Sequence, residues 1–315
     1  MKTIKIGAVV LVGLAVLLVV LQPNSLRKAV FAAAMPEDYF TEYLRIQPAL
    51  YQVNNEVYAF ERGFARSLVI DSSEGLAVIE TFDLAHTNAL NAALADQFPT
   101  KPVRWVVFSH NHLDHIRGSD IFASAEVIGH KDINQLVEDW PKAAKSVAKV
   151  TREISGDTQL KFGDTMIEAL YMPMSHSSTL YGFHIPSASV VFAPDMMFVN
   201  AVPPFGFPDF YYPGYVRALD RLIDIKADHY VPSHMDRGSY DDMVAFRNMT
   251  VEFQEVVEDE MLKIGANRMG EGEGLKHAIK SAYERLQPSY GHIHGFDSMF
   301  VAKFGRHFGG TYLGY

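Results

Sequence analysis

The segment Ser109-His110-Asn111-His112-Leu113-Asp114-His115 places four groups able to bind a metal cation within six residues, in a His-x-His-x-Asp-His pattern. In an extended chain alternate side chains share a side, so His110 and His112 can face one cation, while a turn after Leu113 sends Asp114 and His115 to another. The spacing itself suggests two ions. The chain has no cysteine, so any metal must be held by imidazole and carboxylate, donors that suit zinc and that iron or manganese also accept. Further candidates stand downstream in Pro173-Met174-Ser175-His176-Ser177, Ala193-Pro194-Asp195 and Val231-Pro232-Ser233-His234. Singly, each of these reads as an ordinary loop residue or a satisfied core group.

The elements that must position these residues follow from pattern. Leu50 to Val53 and Val57 to Phe60 flank Asn54-Asn55, a pair that tolerates left-handed turn geometry, which predicts a β-hairpin. Ser67 to Asp71 and Leu76 to Glu80 predict a second. Ala85 to Phe98 reads as a helix, and Val103 to Phe108 as a fully buried strand that delivers the histidine cluster. A strand at Val127 to Gly129, a helix over Lys131 to Val150, and strands at Met166 to Leu170, Leu180 to Ile185 and Ser189 to Ala193 follow, so hairpins give way to β-α alternation, as in an α/β sandwich. His176, Asp195 and His234 then fall at strand ends, where loops carry chemistry. The Pro-, Gly- and aromatic-rich stretch Phe198 to Tyr215 reads as an ordered loop near a pocket, in which Phe207, Tyr211 and Tyr212 are candidate substrate contacts. Helices are expected over Tyr240 to Ile264 and Gly274 to Leu286, then an aromatic, glycine-rich tail. His294 in His292-Ile293-His294 is a further candidate substrate contact.

In chain order, the His-x-His-x-Asp-His cluster, a third His, an Asp and a last His, over roughly Leu50 to Asp236, resemble the metallo-β-lactamase superfamily. The resemblance implies an αββα sandwich of two mixed β-sheets with metals at the sheet edges. It implies that His110, His112 and His176 bind one zinc, that Asp114, His115 and His234 bind the second, and that Asp195 and a hydroxide bridge them, with Asp114 also handling the proton. The aspartate at 195 is similar to the glyoxalase II, lactonase and sulfatase-like branches, which directs the expectation to a metal-dependent hydrolase of esters, lactones or thioesters. Alkyl or aryl sulfatase, β-lactamase and mono-iron sulfur dioxygenase activities are alternatives on the same fold. The tail from Phe304 to Tyr315 resembles the closing segment of alkylsulfatase-like members. Where relatives often carry Gly beside the ligands, this chain has Ser175, Pro194, Ser233 and Met235, and where they carry Asp at the end of a strand it has Glu80, expected to support a ligand from behind.

Ile6 to Leu21 is an uncharged, mostly aliphatic run preceded by Lys2 and Lys5, as in a signal peptide core or short membrane anchor, so export to the periplasm or attachment to the membrane is expected. Residues 1–34 are therefore set apart from a catalytic domain at 35–238 and a helical C-terminal extension at 239–315 packed on the same domain. The net charge of −9 and the lack of a long basic run argue against nucleic acid as partner and leave a small-molecule substrate. With 48% hydrophobic residues the chain has the means to bury a substantial core.

Overall fold

The computed structural model describes residues 39, 41, 43–204, 211–264 and 272–313. The expected signal or anchor segment lies outside the described residues, and no helix among them is long and apolar enough to cross a membrane. The chain divides into two compact units, one of Glu42–Asn200 with Asp209–Arg247, the other containing the C-terminal residues from Asn248 together with Tyr39, Thr41 and the 201–204 segment.

In the first unit a seven-stranded sheet runs in the order β1 (Ala49–Asn54), β2 (Val57–Arg62), β3 (Ala65–Ser72), β4 (Gly75–Ile79), β5 (Val103–Val107), β6 (Glu126–His130) and β7 (Arg152–Ile154). Its first four strands pair antiparallel and β4 to β7 pair parallel. Asn55 sits at φ +44°, the left-handed geometry expected at the first hairpin. A five-stranded sheet contains β8 (Thr158–Phe162), β9 (Thr165–Tyr171), β10 (Tyr181–Ile185), β11 (Val190–Ala193) and β12 (His229–Pro232), adjacent in reverse chain order and parallel only between β11 and β12. Among the described residues four α-helices lie wholly within this unit: α1 (Leu84–Gln97), the single turn α2 (Leu113–Ile116), α3 (Ile133–Glu138) and α4 (Tyr212–Ile223).

Strand alternation builds the layers. Leu68, Ile70, Ala77, Ile79, Val107 and Ile128 face inward and meet Phe162, Ile167, Phe183 and Phe192 of the second sheet. Their neighbours Val69, Val78, Val106, Phe108 and Val127 face outward against Leu90 and Leu94 of α1 and Ile133 of α3. Strands buried on both faces explain the unbroken apolar runs, each fully buried aliphatic side chain being worth about 1.5–3 kcal/mol. On the far face of the five-stranded sheet α4 packs so closely that a Cβ at Gly182 would come within 3.0 Å of Leu222. The result is an αββα sandwich of two mixed sheets, as expected.

Three expectations are corrected. The helix expected over Lys131 to Val150 is only α3, because Pro141 lacks an N–H and cannot continue the ladder. The expected loop Phe198 to Tyr215 ends inside α4, which starts at Tyr212 with Pro213 in its first turn, where proline is tolerated. The glycine-rich tail is the helix α7 below: Phe296, Met299, Phe300, Lys303, Phe304 and His307 recur at helical spacing and are all buried, while a Cβ at Gly305 or Gly309 would meet nothing within 4 Å.

The C-terminal helices are α5 (Tyr240–Ile264), with the expected bounds, α6 (Gly272–Tyr290), longer than expected, and α7 (Phe296–Leu313). Within the second unit the Lys303 ammonium is buried over the Phe253 ring, 5.0 Å from its centroid. Burial pulls its pKa down to about 7. The unfolded chain, with a lysine pKa of about 10.4, then binds more protons than the folded chain between about pH 7 and 10, so stability rises with pH across that window. Urea unfolding of Lys303→Met is expected to show a higher midpoint than wild type at pH 7 and a weaker rise towards pH 10; an unchanged midpoint and slope would show that Lys303 is not buried as a charge.

Candidate metal centre

Every candidate ligand leaves the end of a strand. His110 follows β5, His112 caps α2, and Asp114 and His115 ride on that turn. His176 lies beyond β9, Asp195 beyond β11 and His234 beyond β12. Three backbone bonds join the sheets at this rim: Tyr181 N–H donates to Ser109 O at 2.9 Å, Arg66 N–H donates to Ser233 O at 2.7 Å, and Met235 N–H donates to Phe64 O at 3.0 Å. The loops carrying His110 and His176 are further stapled by Ser177 Oγ–H, which donates to Asn111 Oδ1 at 2.7 Å, and by Asn111 N–H, which donates to Thr179 Oγ1 at 2.9 Å.

Asp195 is the hub. Its Oδ2 lies 3.0 Å from both His115 Nε2 and His176 Nε2, and its Oδ1 lies 3.1 Å from His234 Nε2. His110 Nε2 stands 3.5 Å from Oδ2, too far to satisfy a nitrogen buried from water. Three groups of side chains bring one ligand atom each to within 4.8 Å of one another: His110, His112, His176 and Asp195; Asp114, His115 and His234; and Glu80, His110 and His115, the last lying behind the histidines of the first two. The seven residues singled out from the sequence thus converge.

Three of the nitrogens that face away from the centre are tied down. His115 Nδ1 lies 2.8 Å from Glu80 Oε1, His110 Nδ1 lies 2.8 Å from Ser109 Oγ, and Ser109 Oγ–H in turn donates to Glu80 Oε1 at 2.5 Å. His234 Nδ1 is 3.2 Å from the Phe64 carbonyl oxygen. Nδ1–H donating outward would leave each of these three Nε2 atoms a lone pair directed inward, the tautomer a metal ligand requires. The donor set, its tautomers and the unsatisfied His110 Nε2 therefore fit a divalent cation. Burial opposes charge on Asp195, but His115 and His234 outweigh it and hold the carboxyl well below its usual pKa. Burial also opposes charge on His115, but Asp195, Glu80 and Asp114 outweigh it and raise its pKa. His110 moves the other way, lowered by burial and by the neighbouring His115 and His112.

Several contributors were not singled out from the sequence. Phe82 packs against His115 and His234 with ring centroids 5.1 and 5.5 Å away, and Phe64 and Phe198 also flank His234. Arg66, buried and paired with Glu61 at 3.3 Å, donates from Nη1 to Pro232 O and from Nη2 to Met235 O, both at 2.9 Å, clamping the His234 loop. Ser109 was legible as the residue alternating with His110 at the strand end; the aromatic wall had no local signal. Of the candidate substrate contacts, Phe207 lies outside the described residues. Tyr211 N–H donates to Ser175 O at 2.7 Å beside the His176 loop, and Tyr212 opens α4. His294 belongs to the second unit, where its Nε2 is 2.7 Å from Tyr39 O. Glu80→Gln keeps the shape but removes the charge that two histidines lean on, and is expected to weaken metal binding by about 10–100-fold in chelator competition with little change in far-ultraviolet circular dichroism; equal affinity would show that Glu80 does not orient these ligands.

Comparison with known proteins agrees with this geometry. A family model for the metallo-beta-lactamase superfamily matches residues 61–234. The chain is 25% identical over 192 residues to 2,4-dinitroanisole O-demethylase subunit alpha of Nocardioides sp. (strain JS1661), covering 59% of this chain and 57% of that relative. It is 24% identical over 264 residues to subunit beta from the same strain, covering 79% and 77%. This chain therefore spans little more than half the length of the alpha subunit. Among solved structures it is similar in fold to a metallo-beta-lactamase from Pontibacter korlensis, with a TM-score of 0.57, 18% identity, and 65% of this chain and 99% of that one covered. It is also similar in fold to the inverting sec-alkylsulfatase Pisa1 from Pseudomonas sp., with a TM-score of 0.65, 15% identity, and 85% and 50% covered. The family model covers more than half of the chain and includes all seven convergent side chains, so this protein belongs to the metallo-beta-lactamase superfamily.

Proposed function

We propose that the protein is a dinuclear zinc hydrolase that cleaves an ester, lactone or thioester bond in a small-molecule substrate. The observation that carries this reading is the Asp195 carboxylate, one oxygen of which lies against His115 and His176 and the other against His234, so that a single buried anion touches members of both ligand groups. His110, His112 and His176 would hold one cation, Asp114, His115 and His234 the other, with Asp195 shared. Zinc held there supplies Lewis acidity towards the substrate oxygen and a water acidified to a pKa near 7.

The chain's own residues do the rest. Asp114 has the exposed side chain of the set, 63% accessible, and would accept the proton of an attacking water and return it to the leaving oxygen. Phe64, Phe82 and Phe198 exclude bulk water from the His234 side, where charge on the scissile group is then felt more strongly. Glu80 keeps negative charge behind His115 and, through Ser109, behind His110, which fixes their orientation without blocking the open side. The apolar run Ile6–Leu21 supports export or attachment to a membrane as the setting for this activity.

A second reading, hydrolytic removal of an alkyl group from an activated aryl ether, is favoured by the O-demethylase names of both curated relatives. Metal-replete protein should be assayed against carboxylic esters, lactones, thioesters, sulfate esters, β-lactams and electron-poor aryl methyl ethers. Turnover of an ester-type substrate is expected, falling more than about 100-fold in His112→Ala, a loss above about 2.7 kcal/mol of transition-state stabilisation. Best turnover of the aryl ether would select the second reading. Hydrolysis of no class, or one iron per chain with oxygen consumption, would overturn the hydrolase reading.

A further inference from the structure

Beside the metal centre, within the first unit, lies a hollow of about 430 Å³ to which the chemistry above assigns no occupant. Asp114 is part of its wall, and so are Phe64 and Phe82, the same rings that pack on His234 and His115. Ala65 of β3 adds to the apolar lining, and the remainder comes from the stretch ahead of β1, where Leu44 stands 65% exposed and Ile46 and Pro48 continue the surface. A leucine held largely in water at the mouth of a hollow is a site of unspent apolar contact.

The polar lining is unusual in what it leaves unpaired. Arg62 and Arg117 both face the hollow, and among the described residues neither forms an ion pair; Arg117 spends only its Nε, on Leu113 O at 3.1 Å. The carboxylates there are otherwise engaged, Asp83 accepting His86 N–H at 2.7 Å as the cap of α1, and Asp114 facing His115. His86 also lines the hollow. It is 1% exposed, wedged between Phe60 and Phe82, with Nε2 bonded to Ser67 Oγ at 2.9 Å and Nδ1 buried without a hydrogen-bond partner. Burial lowers its pKa to about 3, so it is neutral and has one nitrogen to offer. A buried polar atom left unsatisfied costs about 1–3 kcal/mol, a cost a ligand can remove.

We propose that this hollow binds the part of the substrate remote from the scissile bond, and that it selects a flat apolar body, of one or two aromatic rings, bearing an anionic or strongly accepting substituent that Arg62 and Arg117 engage. Calling the ligand a substrate rests on the hydrolase reading; its binding does not. Guanidinium groups beside an apolar wall suit such a molecule, because they pair with oxyanions and also stack on ring faces.

The test is calorimetric titration of metal-replete full chain with 2-naphthalenesulfonate, a weak metal ligand, and with uncharged 2-naphthylmethanol. The sulfonate is expected to bind at least about 10-fold more tightly than the alcohol, and the two to bind alike in Arg62→Met/Arg117→Met. Arg62→Lys/Arg117→Lys, which keeps charge on the same stems, should restore part of the preference, and thermal melting of both variants confirms that they fold. Equal binding of the two probes by wild type, a preference that survives in the methionine variant, or no binding of either probe overturns the proposal. A chain that shows the arginine-dependent preference but hydrolyses nothing keeps this site and loses the hydrolase reading; one that hydrolyses esters without the preference does the reverse.

Discussion

The structure is organised around one buried negative charge. Asp195 is 5% exposed and has four histidine nitrogens within 3.5 Å, an arrangement tolerable only with positive charge alongside. Removing a carboxylate from water costs several kcal/mol even after relaxation, and neutral imidazoles repay little of it. The Asp195 charge, with Glu80, favours a proton on His115, which lies between the two, against the opposing effect of burial. A divalent cation serves the same electrostatic need with more charge and satisfies the nitrogens that one proton leaves unmatched. Cation and proton therefore compete for one place, which links metal affinity to pH.

That charge has to be met by residues far apart in the chain, and the sandwich provides the meeting point. β5, β11 and β12 end at one rim, and interlayer bonds from Ser109 to Tyr181 and from Ser233 to Arg66 hold the two sheets in register there. The backbone is bent to suit: Glu80, Met174, Asp195 and Met235 all take positive φ, between 51° and 67°, at about 1 kcal/mol or more each. Where relatives often place glycine, Met235 accepts this strain, while the serines substitute hydrogen bonding for flexibility. Ser175 Oγ–H donates to Met172 O, and Ser233 Oγ accepts Asp195 N–H at 3.1 Å. Gly214 supplies the close approach that remains: a Cβ there would lie 1.7 Å from Met174 O, so α4 can back onto the His176 loop only without a side chain at that point.

The first four ligands were legible because their chemistry is written locally, whereas the last three, ordinary loop residues by themselves, were named by the resemblance in chain order. His110 to His115 fall in one short run behind an apolar strand, and His176, Asp195 and His234 each follow one. The two hairpins, α1 and α5 were equally plain, since alternation and turn residues act over a few positions. What escaped was set by tertiary contact. α7 was hidden behind its glycines until its buried stripe found partners, and α4 behind the aromatics that precede it. Phe82 and Arg66 carried no signal because their importance comes from lying beside the His234 loop, far downstream in sequence. The hollow with Arg62, His86 and Arg117 is likewise invisible in one dimension, drawing on three separate elements.

The central claim is that two groups of side chains sharing Asp195 hold two cations. Elemental analysis of the purified full chain after dialysis at neutral pH tests it most directly, with Asp195→Asn measured beside it. The account predicts close to two zinc ions per wild-type chain and a marked loss from both positions in the variant, since the shared carboxylate serves each. A wild-type chain that retains no divalent metal, or a variant that retains the full complement, would contradict it.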